Sequence, residues 1–291
     1  MKPITIVLFL IAACLIPLNA RTAPTDIVVQ SDEHLEFARE LCRAALAAAG
    51  MDASFSFFPV AQEKRLNAEL TNGNLHVAFM PPDPERMDLE NRGIIKSIKV
   101  PLERGMLGYR ICLLREADKD LLKYVESVDD LKHLTVGLGL GWGDIAVYTN
   151  AGITVVEAPF TKTTDPLKSL VAKHFDALPL GVNEYQLFLQ EFNKESGGVV
   201  QDKHIAIRYP WYRYVWISTA APHSAELYEA LSKGFGIIAS NGEFITIYEK
   251  FKGALPPATL SNRRTIELEN PYRSFEDVEP RFKHLIIPIP R

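Results

Sequence analysis

His174-Phe175-Asp176-Ala177-Leu178-Pro179-Leu180-Gly181-Val182-Asn183-Glu184 is an apolar run that ends in Pro and Gly and at once delivers two polar side chains. A short buried strand that stops where polar groups begin is how an open α/β sheet presents a ligand site, at the carboxyl ends of its strands. The competing reading is local: Asn183 or Glu184 merely caps a helix over Glu184–Asn193. The flanking sequence decides between the two.

Upstream, Asp26–Gln30 reads as a strand, followed by Ser31 and Asp32 as N-cap candidates. A helix then spans His34–Ala49, with Leu35, Ala38, Leu41, Cys42, Ala45, Leu46 and Ala49 on one stripe and Gly50 as its stop. Phe55–Val60 alternates as a second strand, Ala61–Leu70 is a polar helix, and Leu75–Met80 is a third strand closed by Pro81-Pro82. Residues 83–104 read as loop, Gly105–Leu114 as a long strand, and Leu121–Leu131 as a helix closed by Asp129-Asp130-Leu131. Another strand–turn–helix follows at 134–151, a strand at 155–158 and a helix at 165–173. His204–Ser218 is a second long extended segment, broken at Pro210; helices at 224–239 and 243–251 precede a proline-rich tail from Leu255.

Strands alternating with helices predict a mostly parallel, helix-covered α/β sheet. The two long extended segments bracket a single βαβα block. That layout predicts a two-lobed fold: residues 24–110 and 212–291 form a discontinuous lobe 1, residues 111–211 an inserted lobe 2. Two crossing strands would act as hinge, with a ligand cleft at the interface.

Composition narrows the function. At 291 residues, one or two domains are expected. A chain 47% hydrophobic and 23% charged has an ordinary globular core. A net charge of −4 without a basic run excludes nucleic acid as partner. Lys2, the uncharged stretch Ile4–Leu18 and Ala20 before Arg21 read as an export signal over residues 1–20. Its roughly fifteen apolar residues fall short of the roughly twenty a spanning helix needs. Ile11-Ala12-Ala13-Cys14 resembles a lipidation site, but the apolar run continues through Leu18, so cleavage is preferred to an anchor at Cys14. Either way the protein is expected in the periplasm. Cys42 on its apolar stripe and Cys112 in its apolar run read as buried free thiols, with a disulfide as the alternative.

Several residues are site candidates. The Gly137–Gly143 turn fails the spacing of a dinucleotide fingerprint but offers backbone N–H groups at a helix start, with Asp144 just inside. Trp142 on that turn reads as an exposed stacking wall, and Trp211 beside Pro210 as part of a cleft floor. Arg86 follows a strand end and either clamps an anionic group with its fork or is a solvated loop arginine. Arg65 and Arg110 are weaker candidates of the same kind. Asp176 and Glu184 are a conceivable carboxylate pair, with no partner placed beside them. The seven histidines have no metal-ligand spacing and no Gly-x-Ser-x-Gly elbow occurs, so no metal, cofactor or enzymatic activity is predicted.

The chain resembles extracellular solute-binding proteins of the amino-acid-binding type (family 3). Leu66–Met80, Pro84-Glu85-Arg86, Val128-Asp129-Asp130-Leu131-Lys132, Leu167-Lys168-Ser169-Leu170 with Phe175-Asp176-Ala177, and Gly242-Glu243-Phe244 carry the resemblance. A narrower exported subgroup is suggested by Gly105–Arg110, Trp142 with Asp144, Tyr209-Pro210-Trp211 and Glu269-Asn270-Pro271. The resemblance implies the type II periplasmic binding fold and a monomer. It also implies a small polar or anionic solute and a membrane permease or sensor as partner. It places Arg86 on a ligand carboxylate, while the family's small hydroxyl residue at the second-lobe helix start is replaced here by Gly141-Trp142-Gly143; the residues themselves put Trp142 and Trp211 as stacking walls and Asn183 and Glu184 at the site. Where the family has an Asp for an α-amino group, this chain has Gly181. Related dehydratases make an enzyme on the same scaffold the alternative, and an accessory protein with a vestigial cleft the third reading.

Overall fold

The computed structural model describes residues 24–158, 162, 164–253 and 258–287. The expected export signal and Cys14 lie outside the described residues. The first lobe begins with β1 (Thr25–Gln30), α1 (Glu36–Ala49), β2 (Ala53–Phe58), α2 (Glu63–Asn72), β3 (Val77–Met80), α3 (Pro84–Asn91) and β4 (Ile95–Ile98). The chain crosses to β5 (Tyr109–Arg115), α4 (Val128–Leu131), β6 (Thr135–Gly139), α5 (Ile145–Asn150), β7 (Thr154–Ala158) and α6 (Asp165–Val171). Then follow β8 (Leu178–Gly181), α7 (Tyr185–Glu195), β9 (Val199–Gln201) and β10 (Ile205–Arg208). The return is β11 (Tyr214–Ser218), α8 (Ser224–Ser240), α9 (Glu243–Lys252), α10 (Ala258–Ser261) and β12 (Arg264–Glu267).

The first lobe is organised by one sheet and the second by a five-stranded sheet, antiparallel at β10-β5, β5-β8 and β5-β9, with a separate two-stranded one. In the first the order is β2-β1-β3-β11-β4, parallel across β2-β1-β3 and antiparallel where β11 inserts between β3 and β4. In the second it is β12-β10-β5-β8, with β9 also on β5, and β6 paired in parallel with β7. A bridge from Val136 to Ala177 links β6 to the approach of β8. The first lobe packs Phe79, Trp216, Phe235 and Phe244 into one apolar core. The second has apolar clusters on Leu138, Tyr148 and Tyr209 and on Phe175, Leu180 and Phe188. Cys42 and Cys112 are buried free thiols in different lobes.

Local chemistry explains the departures from the sequence reading. The stretch read as loop at 83–104 holds α3 and β4: Asp83 caps α3 by accepting from the Arg86 amide at 2.7 Å, and Pro84 takes the first position, where its missing N–H costs nothing. The helix expected over 121–131 shrinks to α4. Ser127 and Asp130 form a reciprocal capping box, so Asp129 and Asp130 open that helix rather than close it. The long segment 204–218 splits at Pro210 into β10 and β11, one in each sheet.

The tail, which showed no periodicity, is ordered into a third crossing. β12 pairs in parallel with β10 in the second-lobe sheet. Asn270 then donates to the Pro210 carbonyl at 2.8 Å, and Phe282 and Leu285 are buried in the first-lobe core. The stretch expected in lobe 1 thus adds one strand to the other sheet. Among the described residues no helix is long and apolar enough to cross a membrane.

Candidate functional site

The carboxyl ends of β1, β3, β6 and β8 converge on a cavity of about 380 Å³ between the lobes. That lies toward the lower end of the roughly 300–1,000 Å³ of small-molecule sites. The first lobe contributes Gln30, Asp32, His34, Leu35, Glu63, Leu66, Met80, Arg213 and Lys252; the second contributes Leu107, Arg110, Trp142, Asp144, Asn183, Glu184, Phe188 and Trp211.

Trp142 sits half-buried against the cavity because Gly139 makes room for it: a Cβ there would come within 2.3 Å of the indole. The glycine turn is spent on this packing and on a bond from the Gly141 amide to Glu157 at 2.8 Å. Trp142 is therefore a built wall rather than an exposed flag. Trp211, buried and edge-on to Tyr209 at 6.1 Å, forms the facing part of the floor.

Arg110 lies on β5 behind the second-lobe wall. Its Nε donates to the Tyr209 hydroxyl at 2.7 Å, one terminal nitrogen to Asp144 at 3.0 Å, and the other faces Glu184 at 3.7 Å. Tyr209 also donates to Asp144 at 2.8 Å. Burial pulls the guanidinium pKa down, but Tyr209, Asp144 and Glu184 outweigh it and hold Arg110 charged, while burial raises the Tyr209 phenol far above its ordinary value. Glu184 bends back over the strand end. Its Oε2 accepts from the Gly181 amide at 3.3 Å and would lie 2.6 Å from a Cβ on Gly181. The position where the resemblance implies an Asp is thus glycine so that the Glu184 carboxylate can occupy the space. Asn183 reaches across the cleft to the Tyr248 hydroxyl at 3.0 Å.

Arg86 does not reach the cavity. It is fully buried, and each of its five N–H groups has a partner: the Pro81 carbonyl at 2.9 Å, Asn67 at 2.9 Å, the Met80 sulfur at 3.2 Å, Glu63 at 2.7 Å and Asp83 at 2.6 Å. It rivets α2, the end of β3 and α3 together. Arg65 is exposed, stacks on Phe58 at 5.7 Å and faces Glu69 at 3.6 Å, away from the cavity. Asp176 sits at the far end of β8, accepting from the Thr135 amide at 2.9 Å, so it makes no pair with Glu184.

Sequence reading passed over Asp32, His34, Glu63, Arg213 and Lys252. Asp32 follows the carboxyl end of β1, and the strand-end logic applied to β8 would have found it. It makes no side-chain cap bond; its Oδ2 is buried and accepts no hydrogen bond from the described residues. Burial raises its carboxyl pKa despite the nearby Arg213 and Arg39. Arg213 donates to Glu103 at 2.7 Å and to the Phe79 carbonyl at 3.0 Å. Burial alone would raise Glu103, but Arg213 and Lys252 more than reverse it. Lys252 lies 4.6 Å from the Phe37 ring centroid. His34 lines the cavity with part of its ring exposed; desolvation by the surrounding side chains, then Arg213, pulls its imidazolium down to about 4. Among the described residues no group of three or more His, Cys, Asp or Glu side chains is placed to hold a metal ion.

No protein-family model and no curated protein matches the sequence. Solved structures do match in fold. The ligand-binding core of GluR0 from Nostoc punctiforme, in complex with L-glutamate, aligns at 16% identity over 79% of this chain and 100% of that one, with a TM-score of 0.52. The VFT2 domain of Bordetella pertussis BvgS aligns at 15% over 78% and 92%, with a TM-score of 0.56. The arginine-, lysine-, histidine-binding protein ArtJ from Geobacillus stearothermophilus aligns at 15% over 80% and 96%, with a TM-score of 0.52. The chain has the two-lobed fold these proteins share.

Proposed function

We propose that the protein is an exported solute-binding protein that closes by hinge motion on a small solute between its lobes, for delivery to a membrane permease or sensor. One observation carries this reading: the cavity is walled from both lobes, at the carboxyl ends of strands in each sheet, by aromatic faces and a few charged groups. Such a site forms only when the lobes meet, so a bound solute stabilises the closed arrangement. Two similar folds are named for amino-acid ligands, which supports binding as the role. Arg110, Asp144 and Glu184 are held in ion pairs with one another, and Glu63 and Arg213 by Arg86 and Glu103 behind the wall, rather than poised as a nucleophile and base, which favours binding over catalysis. Trp142 and Trp211 would stack on the solute, and Glu184 and Asn183 would meet its polar end. Asp144 and Arg110 would hold Glu184 in place. Arg86 keeps the first-lobe wall rigid instead of touching the solute.

A thermal-shift screen of the purified protein against amino acids, amines, organic acids and small sugars tests the reading. A compound that binds the folded form must raise Tm. At least one class should do so, and Trp142→Ala should abolish the shift. Silence across all four classes would sink the proposal.

A further inference from the structure

We infer that an anionic group of the solute, a carboxylate or a phosphate, is held by Lys252 and Arg213 on the first lobe. This deepens the binding reading above and rests on it.

Arg86, which the resemblance puts on a ligand carboxylate, has all five N–H groups engaged. Arg110 gives its charge to Asp144 and Glu184 on the second lobe. The first-lobe wall keeps two other cations. Lys252 is the last residue of α9 and lines the cavity half-buried, its ammonium 4.6 Å from the Phe37 ring centroid. Among the described residues no carboxylate reaches that ammonium at ion-pair distance. Arg213 stands just before β11, its side chain 10% exposed. Its Nε is spent on Glu103 and its Nη1 on the Phe79 carbonyl, while Nη2 makes no bond to the described residues. A guanidinium with idle donors in a desolvated wall is costly until an acceptor meets them, and an oxyanion is the strongest acceptor available.

The two cations share one corner of the cavity. Burial would raise the Glu103 carboxyl behind this wall, but Arg213 and Lys252 together bring it below its ordinary value. Tyr248 lies one turn before Lys252 on the same face of α9 and accepts from Asn183 across the cleft at 3.0 Å, so this face fronts the second lobe. The other first-lobe carboxylates on the lining are answered from elsewhere: Glu63 by Arg86, and Asp32, whose Oδ2 is buried, by Arg213 and Arg39. The helix dipole alone favours a lysine at a helix C-terminus. It does not account for a second cation, on a different element, with donors idle at the same corner. Beside that corner Leu66, Leu107, Phe188, Trp142 and Trp211 supply an apolar bed for the body of the solute.

Matched probes decide the point on the whole protein. 3-Phenylpropionate, phenyl phosphate, phenylalanine and 2-phenylethylamine share a ring, and only the last lacks an anion. In thermal shift and titration calorimetry at pH 7.5, at least one of the first three, or another acid or amino acid of the screen above, should bind. Its matched amine should bind at least about tenfold more weakly. Whichever of 3-phenylpropionate and phenyl phosphate binds tighter identifies the oxyanion the corner fits. Lys252→Met should weaken the bound anion by about tenfold or more and leave the unliganded Tm near that of the parent, because the lysine has no ion pair to lose. Arg213→Lys keeps a charge for Glu103, removes the fork, and should weaken the same probe. An amine binding as well as its matched anion overturns the inference, as does an anion affinity untouched in Lys252→Met, or silence from every acid and amino acid. Shifts from amines or sugars alone would remove the anion subsite and leave the binding protein standing; no shift from any compound removes both.

Discussion

Arg86 and Arg110 stand on opposite sides of one cleft, each buried and each surrounded by carboxylates, and they differ in what lies behind those carboxylates. Arg86 binds Glu63, whose side chain is 37% exposed toward the cavity, and Asp83 at 12%. Arg110 binds Asp144, which is 3% exposed. Water can reach Arg86's partners if the arginine is removed, and cannot reach Asp144. The number of bonds an arginine makes is thus a poorer guide to its importance than the burial of the charge it would leave unpaired.

The largest expected effect tests that ordering. Arg110→Met should cost about 3–5 kcal/mol, the range for stranding one member of a buried ion pair. Arg86→Met should cost about 2–3 kcal/mol, set by lost charged hydrogen bonds rather than by a stranded charge. Urea unfolding gives both values, and Arg86→Met proving the costlier would reverse the comparison. A smaller effect is expected where the walls touch. Asn183→Ala removes the bond to Tyr248 that spans the cleft and should cost about 1 kcal/mol. It should also enlarge the radius of gyration measured by X-ray scattering in the absence of solute; an unchanged radius would mean that this bond does not govern closure.

The smallest effect is on the pH profile. The pKa of His34 falls to about 4 on folding, so the unfolded chain binds the proton more readily. Stability should therefore be full above the ordinary histidine value near 6.5 and decline as pH falls from there toward 4. His76, whose Nδ1 accepts from the Val28 amide at 3.2 Å and whose pKa is lowered by burial, adds in the same direction. His34→Gln should flatten part of the Tm-against-pH curve over that interval. A curve of unchanged slope would mean that the His34 imidazole keeps its ordinary pKa in the folded protein.

The opening stretch shows how far the chain could be read in one dimension. Its apolar run, Pro and Gly do form a buried strand, and the polar residues after it do line the cavity. The alternation of strands and helices and the two long crossing segments specified a two-lobed α/β molecule, because hydrophobic period and turn chemistry are local properties. Trp142, Asp144, Trp211, Arg110, Asn183 and Glu184 were recognisable for the same reason: each lies beside a strand end or a crossing. Arg86 was not. Its segment has the look of a binding loop, and only the approach of Glu63 and Asn67, nineteen or more residues away, consumes its donors.

Tertiary structure alone also decided the tail's course and the charge of the site. Nothing in the aperiodic sequence after Leu255 announces that it pairs with β10, crosses at Pro210 and returns to the first-lobe core. Nor does sequence distinguish a carboxylate oxygen that meets a donor, such as Asp144 Oδ2, from one that does not, such as Asp32 Oδ2. Residue types and their spacing were enough to fix where the chain would fold and where polar groups would gather. Whether those groups neutralise one another depends on contacts between distant segments a few ångströms apart, and that balance exists only in three dimensions.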